Sequence, residues 1–509
     1  MRGDVRFIKG QGASGRQAAG QDFISGLILY SAVLPSGFTT TANIKQLFGT
    51  VDAEALGIKA DYSDETKAAG TYLVTGVGTN GDTINIKVLE PFLKTVNLGT
   101  YTKVSGDSTV TKVGDGIALA INSGTLVHGY TALNTGGSVA ITAKAGLGIF
   151  LNSGTPIAVT LSAGATLAGT LTQFSGGVAS KQAVWHYHIA EYFRANVNSQ
   201  LWIGFFPVPN PYTFNEITTL QTSANGSLRQ VGIFVDSKAY ASADLTLIDG
   251  VIKTNNDARH KPLSALYAAD LKAQTDITGI ADLSLLTANK VSSIIGQDGG
   301  SLGAFLFLTT GKSVTQLGVA LGMLSLSSVS EDFGQPSKFS ISNGVENDIP
   351  AFANGQLLSD PLLTDSALDA IDAKRHIFGQ KYVGVSSTFF NDNHTACSTV
   401  SDYAFINDNR VIDKATRGIY SALISKLKGQ LNKNNDGTLA ASTIADFESL
   451  ALAPLQQMNR DGELSEVSDS DVYIDPTQNV VSTSTLVINV VLNENGIARN
   501  ITIPISYKA

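Results

Sequence analysis

The middle of the chain reads Leu201-Trp-Ile-Gly-Phe-Phe206, then Gln230-Val-Gly-Ile-Phe-Val235, then Leu263-Ser-Ala-Leu-Tyr267. Each of these apolar segments has the length and composition of a buried strand. Residues 214–224 and 245–256 lie between them and have the length of helices. Strands that alternate with helices predict an α/β sheet that is covered by helices on both faces.

The same alternation continues on both sides of this region. The further predicted strands are residues 23–30 and 291–295. The further predicted helices are residues 41–48, 51–57, 184–197, 282–288 and 313–326. Gly57 stands where a glycine commonly ends a helix. We therefore assign residues 21–70 and 183–378 to one middle α/β domain.

A sharp change of composition separates the two parts of that domain. Gly, Thr, Ser, Ala and Val dominate residues 71–182, and Lys144 is the only charged residue between Asp115 and Lys181. Short alternating segments are separated by Gly, Asn and Asp, and Asn80-Gly81 is a strong hairpin signal. Residues 71–182 therefore predict an inserted all-β domain. A small sandwich is favoured over a β-solenoid or a stalk, because no short repeat is present.

Residues 379–509 predict a C-terminal α+β domain. A strand is expected at 382–385, an amphipathic helix at 409–431 and a second helix at 442–458. Three strands follow, at residues 471–475, 483–493 and 498–507, and Asn493-Glu-Asn-Gly496 joins the last two as a closing hairpin. The fold class is thus α/β and α+β multidomain: a mixed core, an inserted domain and extended terminal arms.

Composition excludes several classes of function. The chain has 509 residues, a net charge of −8 and one cysteine, Cys397. Net negative charge disfavours nucleic acid and anionic membranes as partners. No apolar run is long enough to insert directly into a membrane, and the first residues lack the apolar region of a signal peptide. Charged residues make up only 15% of the chain, which suggests that something other than the chain itself buries much of its surface.

No catalytic set of residues stands out. Gly311-Lys312-Ser313 resembles the end of a phosphate loop, but Leu306 stands where that loop needs glycine, so a helix start capped by Ser313 is the better interpretation. His186 and His188 on a helix do not share a face. Asn432–Gly437 lacks the closing glutamate of a calcium loop, and the acidic group at Asp469–Asp475 is best explained as a solvated loop. We expect no enzymatic activity, no metal and no cofactor.

A family resemblance rests on the order of several segments. They are Val51-Asp-Ala-Glu-Ala-Leu-Gly57, Asp348-Ile-Pro-Ala-Phe-Ala-Asn354, Tyr382-Val-Gly-Val385, Thr388-Phe-Phe-Asn-Asp392, Ser401–Arg410, Val411–Tyr420, Asn459–Ser465 and Val472-Tyr-Ile-Asp475. Together they resemble the contractile tail sheath proteins of phages and of the phage-like injection machines of bacteria. The resemblance covers most of the chain outside residues 71–182.

The resemblance implies a structural subunit that polymerises helically, as stacked rings, around an inner tube and contracts to drive that tube through a target envelope. The implied partners are other copies of the chain, the inner tail tube protein, and baseplate and terminator proteins. The implied location is a virion tail or phage-like particle assembled in the bacterial cytoplasm. Two alternatives stay open: a capsid or cell-surface protein whose β-domain binds carbohydrate, and an α/β enzyme with an unrecognised site.

The chain ends predict the inter-subunit contacts. Residues 1–20 predict an arm in which Val5, Phe7 and Ile8 form a donor strand on the Gly10–Gly20 linker. At the other end Ile501, Ile503, Ile505 and Tyr507 share one face of a strand, and Pro504 fits only an edge. An open apolar edge accepts a strand from another chain.

The helix over 442–458 is the predicted tube contact. It carries Asp446, Glu448 and Gln456 beside apolar residues. Polar contacts of this kind cost little to break when a sheath releases its tube.

Overall fold

The structure is a computed structural model that describes residues 21–505. Its strands are β1 (Ile24–Tyr30), β2 (Ile44–Leu47), β3 (Ala69–Val77), β4 (Thr83–Glu90), β5 (Lys94–Thr102), β6 (Thr131–Thr135), β7 (Ser138–Thr142), β8 (Ile157–Leu161), β9 (Leu167–Ser175), β10 (Gln200–Phe206), β11 (Gln230–Ala239), β12 (Ser264–Asp270), β13 (Thr287–Ala288), β14 (Val291–Ile294), β15 (Gly296–Asp298), β16 (Pro350–Phe352), β17 (His376–Ile377), β18 (Gly379–Lys381), β19 (Thr388–Phe390), β20 (Ala396–Cys397), β21 (Val472–Tyr473) and β22 (Asn489–Val490). Its α-helices are α1 (Thr50–Ala55), α2 (Val110–Ser123), α3 (Thr125–His128), α4 (Gln182–Ala195), α5 (Glu216–Ser223), α6 (Ala243–Asp257), α7 (Leu302–Thr310), α8 (Leu317–Leu326), α9 (Asp365–Ala373), α10 (Ile406–Leu423), α11 (Ala441–Arg460) and α12 (Val480–Thr483).

A seven-stranded sheet forms the centre of the molecule, in the order β17-β14-β12-β11-β1-β10-β2. All neighbours pair in parallel except β2, which is antiparallel to β10 at one edge. Leu27 and Leu29 of β1 point to the layer of α4 and α8, while Ile28 points to the layer of α5 and α6. The predicted α/β sheet with helices on both faces is confirmed.

Two glycines allow α8 to lie very close to α4. A Cβ atom on Gly318 would lie 2.3 Å from the carbonyl oxygen of His188, and one on Gly322 would lie 2.6 Å from that of Tyr192. Larger residues at these two positions would push the helices apart. The close contact buries His188 completely.

Residues 69–175 form two further sheets, β6-β7-β3-β9 and β5-β4-β8. They are not all-β, because the 14-residue helix α2 lies among them. Its buried residues Val113, Ile117 and Ile121 recur at helical spacing, and the Thr109 side chain caps its first turn by accepting from the Lys112 N–H. The hairpin predicted at Asn80-Gly81 is also wrong: the chain turns there, but β3 and β4 belong to different sheets.

These two sheets almost close into a barrel. The Gln173 side chain on β9 accepts from the Ile157 N–H of β8 at 2.8 Å and donates to the Ile157 carbonyl at 2.9 Å. One amide side chain thus takes the place of a backbone ladder between the sheets. On the opposite side α2 packs against the edge strands β5 and β6. Both openings are therefore covered, which protects edges that would otherwise pair with other chains.

Several predicted elements differ from the structure in the body of the protein. Residues 44–47 form the edge strand β2 instead of a helix, because pairing with β10 overrides local preference. The stretch 282–288 contains a 3-10 turn and β13. Residues 382–385 are a turn that follows β18. Helix α7 was not predicted, since its composition is apolar throughout and shows no periodicity.

The C-terminal region packs α10 against α11 around Val411, Ala415, Leu455 and Met458. Helix α10 ends at Leu423, earlier than predicted, in a 3-10 turn. The closing hairpin is not formed within the described residues. Instead β22 pairs with β21, and residues 498–505 are not a strand. In the part of the chain that the structure describes, this segment with its apolar face and Pro504 pairs with no strand. Within residues 21–505, no helix combines the length and apolar character needed to cross a bilayer.

Candidate functional site

The last described residues, 497–505, extend over the surface and are called the C-terminal segment. Ile501, Ile503 and Ile505 are 79%, 71% and 91% exposed. The segment belongs to no helix or strand, and its backbone makes no hydrogen bond to the part of the chain that the structure describes. Three isoleucines on alternate residues thus face water. The other predicted strand-exchange residues, Val5, Phe7, Ile8 and Tyr507, lie outside the described residues.

Arg499 holds this segment to the body. Its Nε is 3.0 Å from Asp392 Oδ2, and its Nη2 is 3.2 Å from Asn393 Oδ1 and 3.8 Å from Asp332 Oδ2. The guanidinium lies 3.4 Å from the centre of the Phe405 ring, a cation–π contact. The Arg499 side chain therefore makes a charge-assisted hydrogen bond, a stacking contact and a longer contact with a second carboxylate.

A second anchor lies where the N-terminal arm would begin. Asp22 forms ion pairs with Lys414 Nζ at 2.8 Å and Arg417 Nη2 at 2.9 Å, both on α10. Burial raises the pKa of Asp22, but the charges of Lys414 and Arg417 outweigh it and hold that pKa below its usual value. Phe405 directly precedes α10. The Asp22 anchor therefore lies on α10, and the aromatic contact of Arg499 lies directly before the same helix.

A cavity of about 910 Å³ opens beside Arg499. Its lining carboxylates are Glu331, Asp332, Asp369, Asp372, Asp392 and Asp461. Among the described residues that line it, Arg499 is the one cation. Burial and the neighbouring Asp392 carboxylate raise the pKa of Asp332 to about 7. Asp332 therefore changes charge near neutral pH, at the anchor of the C-terminal segment.

The predicted tube-contact residues do not share one face of α11. Asp446 is about half exposed and forms an ion pair with Lys426 at 2.6 Å. Gln456 is exposed. Glu448 is turned inward, where its Oε1 accepts from the Ile474 N–H at 2.9 Å. The exposed face of α11 carries instead Ser442, Ala445, Asp446, Ser449, Ala453 and Gln456.

The other motifs considered from the sequence occupy structural positions. Gly311 ends α7 in a left-handed conformation, so Lys312-Ser313 does not start a helix as predicted. Ser313 Oγ accepts from the Leu271 N–H and donates to the Ala353 carbonyl. Within residues 21–505, His, Cys, Asp and Glu side chains form no group of three or more that could hold a metal ion.

Sequence reasoning did not find the two anchors. Asp22 and Arg417 are 395 residues apart, and Arg499 and Asp392 are 107 apart. No local spacing links such pairs. The one available signal was Arg499 itself, a charged residue next to the alternating isoleucines.

Two family models together match almost the whole chain. The model described as DUF2586, N-terminal domain, matches residues 2–394, and that described as DUF2586, C-terminal domain, matches residues 402–509. The chain belongs to the DUF2586 family. No curated protein matches this DUF2586 protein.

Solved structures that resemble this DUF2586 protein include three sheath proteins. The helical sheath of the anti-feeding prophage in its contracted state is 14% identical with a TM-score of 0.44, over 63% of this chain and 81% of that one. The sheath tail protein of Desulfitobacterium hafniense is 12% identical with a TM-score of 0.36, over 93% of each chain. That of Listeria innocua is 9% identical with a TM-score of 0.40, over 92% of this chain and 91% of that one. All three TM-scores lie below 0.5. The three are sheath proteins, the family that the sequence segments resemble.

Proposed function

We propose that this DUF2586 protein is the structural subunit of a contractile tail sheath. Copies polymerise helically around an inner tube, and contraction of the polymer drives the tube through a target envelope. The observation that carries the proposal is the C-terminal segment, which is apolar on alternate residues, exposed and anchored at one end by Arg499. A segment with these properties can add as a strand to a sheet, and a second copy of the chain can supply that sheet.

The energetics suit a polymer made of many weak links. Burying Ile501, Ile503 and Ile505 in a neighbouring copy stabilises each link by about 1.5–3 kcal/mol per side chain. Ordering the backbone costs about 1–2 kcal/mol per residue, so the net for one link is small. Many links along a tube hold firmly together although each one is weak. Val5, Phe7 and Ile8 of the N-terminal arm, with Tyr507, complete the exchange.

The remaining surfaces take the other roles. The exposed polar face of α11, with Asp446 and Gln456, contacts the inner tube. Glu448 is left out of that contact, because its partly buried carboxylate accepts a hydrogen bond from the Ile474 N–H. The sheets of residues 69–175 lie on the outer side of the polymer as an inserted domain, between 21–70 and 183–378, and 379–509 form the tube-proximal domain. Baseplate and terminator proteins cap the ends of this phage-like particle.

Electron microscopy of negatively stained purified protein tests the proposal. The intact chain is expected to form hollow tubes. Changing Ile501, Ile503 and Ile505 together to Ser should abolish the tubes and leave a folded monomer with an unchanged melting temperature. The matched control, Asn500→Ser with Thr502→Ser, alters the opposite positions of the same segment and should leave tube formation intact. Closed shells or single particles from the intact chain, or normal tubes from the triple variant, would overturn the proposal.

A further inference from the structure

Three groups of the body surround the Arg499 side chain, and each comes from a different part of the chain. Asp332 lies in the loop after α8, Asp392 follows β19, and Phe405 precedes α10. Asp392 gives the close ion pair at 3.0 Å, Asp332 lies at 3.8 Å, and the Phe405 ring lies beneath the guanidinium. Among the described residues, no hydrogen bond or ion pair holds residues 500–505 to the body. Release of this one side chain would therefore free the whole segment.

We propose that Asp332, Asp392 and Phe405 form a latch that stores the C-terminal segment on its own subunit, and that uptake of a proton by Asp332 loosens it. The neighbouring cavity of about 910 Å³ gives the released segment room to move. The inference rests on the proposed function in one respect only: the released segment is taken to exchange with another subunit. The latch itself is a property of the single chain.

Reciprocity between proton and arginine supports this mechanism. Burial and the Asp392 carboxylate raise the pKa of Asp332 to about 7, while the positive charge of Arg499 lowers it. If the bound arginine disfavours the proton, then the proton must disfavour the bound arginine by the same factor. Loosening occurs near pH 7 because that is where Asp332 titrates. Below that pH, Asp392 alone pairs with Arg499.

Other charged groups lie close enough to the latch to affect its electrostatics. Asp332 is approached by Asp392, Arg499 and Tyr382. Asp392 also has His394 Nδ1 at 3.9 Å, and His394 Nε2 is 3.1 Å from Asp372. The remaining charges are Arg375, Asp408, Glu494 and the pair Glu331–Lys338. Among these groups, Asp332 is the carboxyl that has a raised pKa and lies within 4 Å of the Arg499 guanidinium. The loosening of the latch near pH 7 is therefore assigned to protonation of Asp332.

The test is the mobility of the segment in the full-length protein with Ile501, Ile503 and Ile505 changed to Ser, the variant expected to stay monomeric. A nitroxide spin label on Thr502→Cys reports motion by electron paramagnetic resonance, and the same variant without Thr502→Cys, treated with the same reagent, gives the background from the buried Cys397. The mobile population should rise roughly two- to fivefold from pH 8 to pH 6, the factor expected for a partly exposed ion pair. The midpoint should lie near pH 7.

Variants separate the latch from a general effect of pH. Arg499→Gln should be mobile at every pH. Asp332→Asn, which stays neutral, should show the low-pH mobility throughout with no transition. Asp461→Asn alters a carboxylate that lines the same cavity without touching Arg499, and should keep the wild-type transition. A pH-independent spectrum of the labelled protein, an immobile Arg499→Gln segment, or a transition that survives Asp332→Asn would overturn the latch. Tube formation is scored separately, so failure of the sheath proposal leaves this result interpretable.

Discussion

Replacing His188 by leucine should remove much of the acid sensitivity of the α/β body. His188 is fully buried on α4, and neither ring nitrogen has a hydrogen-bond partner among the described residues. Burial lowers its pKa from 6.5 to about 3. The folded protein therefore keeps the imidazole neutral, while the unfolded chain protonates it below pH 6.5. Stability is fully present above pH 6.5 and is lost as pH falls toward the folded pKa.

The size of the effect follows from these two values. One proton taken up only on unfolding costs about 1.4 kcal/mol per pH unit once the pH is well below 6.5. Between pH 7 and pH 5 the intact protein should thus lose about 2 kcal/mol of unfolding free energy through His188. His188→Leu should abolish that loss. It should also raise stability at pH 7 by about 1–3 kcal/mol, because an unpaired buried polar group is removed.

The assay is urea unfolding at pH 7 and pH 5, followed by the fluorescence of Trp185 and Trp202. A smaller loss of unfolding free energy remains in the His188→Leu protein, because burial also lowers the pKa of His376, to about 4. The control is His186→Leu on the same helix, where the imidazole faces Glu54 at 3.1 Å, and it should not reduce the loss. An equal loss in the His188→Leu and intact proteins would refute the reasoning.

Three further predictions concern the rest of the chain. Replacing residues 69–175 by a short Gly/Ser linker should leave a cooperatively melting protein that still forms tubes, because Thr66 and Val178 pair where the chain enters and leaves; calorimetry and microscopy check this, and insoluble protein would contradict it. Glu448→Lys should lower the melting temperature, whereas Gln456→Lys should leave it unchanged and weaken binding to the tube protein; the reverse pattern would reject the assigned faces of α11. Asp22→Asn should destabilise the protein by roughly 1–3 kcal/mol at pH 7, because the buried Arg417 guanidinium loses its ion pair with Asp22. Since the Asp22 pKa is lowered on folding, that difference should shrink as pH falls toward 3, and a constant difference would argue against the ion pairs.

Five strands of the central sheet, β1, β10, β11, β12 and β14, were predictable because each is a short segment rich in apolar residues, whereas β17 has only two residues and was not predicted. Strand β2 was not, since Ile44-Lys-Gln-Leu47 carries two polar residues and pairs only at the sheet edge. Helix α2 was hidden by its composition: glycine and alanine fill its buried face beside Val113, Ile117 and Ile121. Small residues of this kind weaken the helical period that sequence reasoning depends on.

In the candidate site, too, the features set by local sequence were predictable and those set by long-range contacts were not. The alternating isoleucines of the C-terminal segment were visible in the sequence, because alternation is local. The inward turn of Glu448 depends on the Ile474 N–H, which lies 26 residues away. The anchors at Asp22 and Arg499 depend on contacts between residues that are 395 and 107 positions apart. Local sequence patterns thus identify the segments that have an apolar face. The residues that anchor those segments are identified only in the folded chain.

Contacts of both chain ends meet at α10, which carries Lys414 and Arg417 and directly follows Phe405, and this has a mechanical consequence. A force that pulls on one chain end enters at the Asp22 pairs with Lys414 and Arg417, and a force on the other end enters at Arg499 over Phe405. Phe405 and the Lys414–Arg417 pair are about three helical turns apart along α10. In the proposed polymer, part of the tension between neighbouring copies would therefore pass along α10 and not through the central sheet.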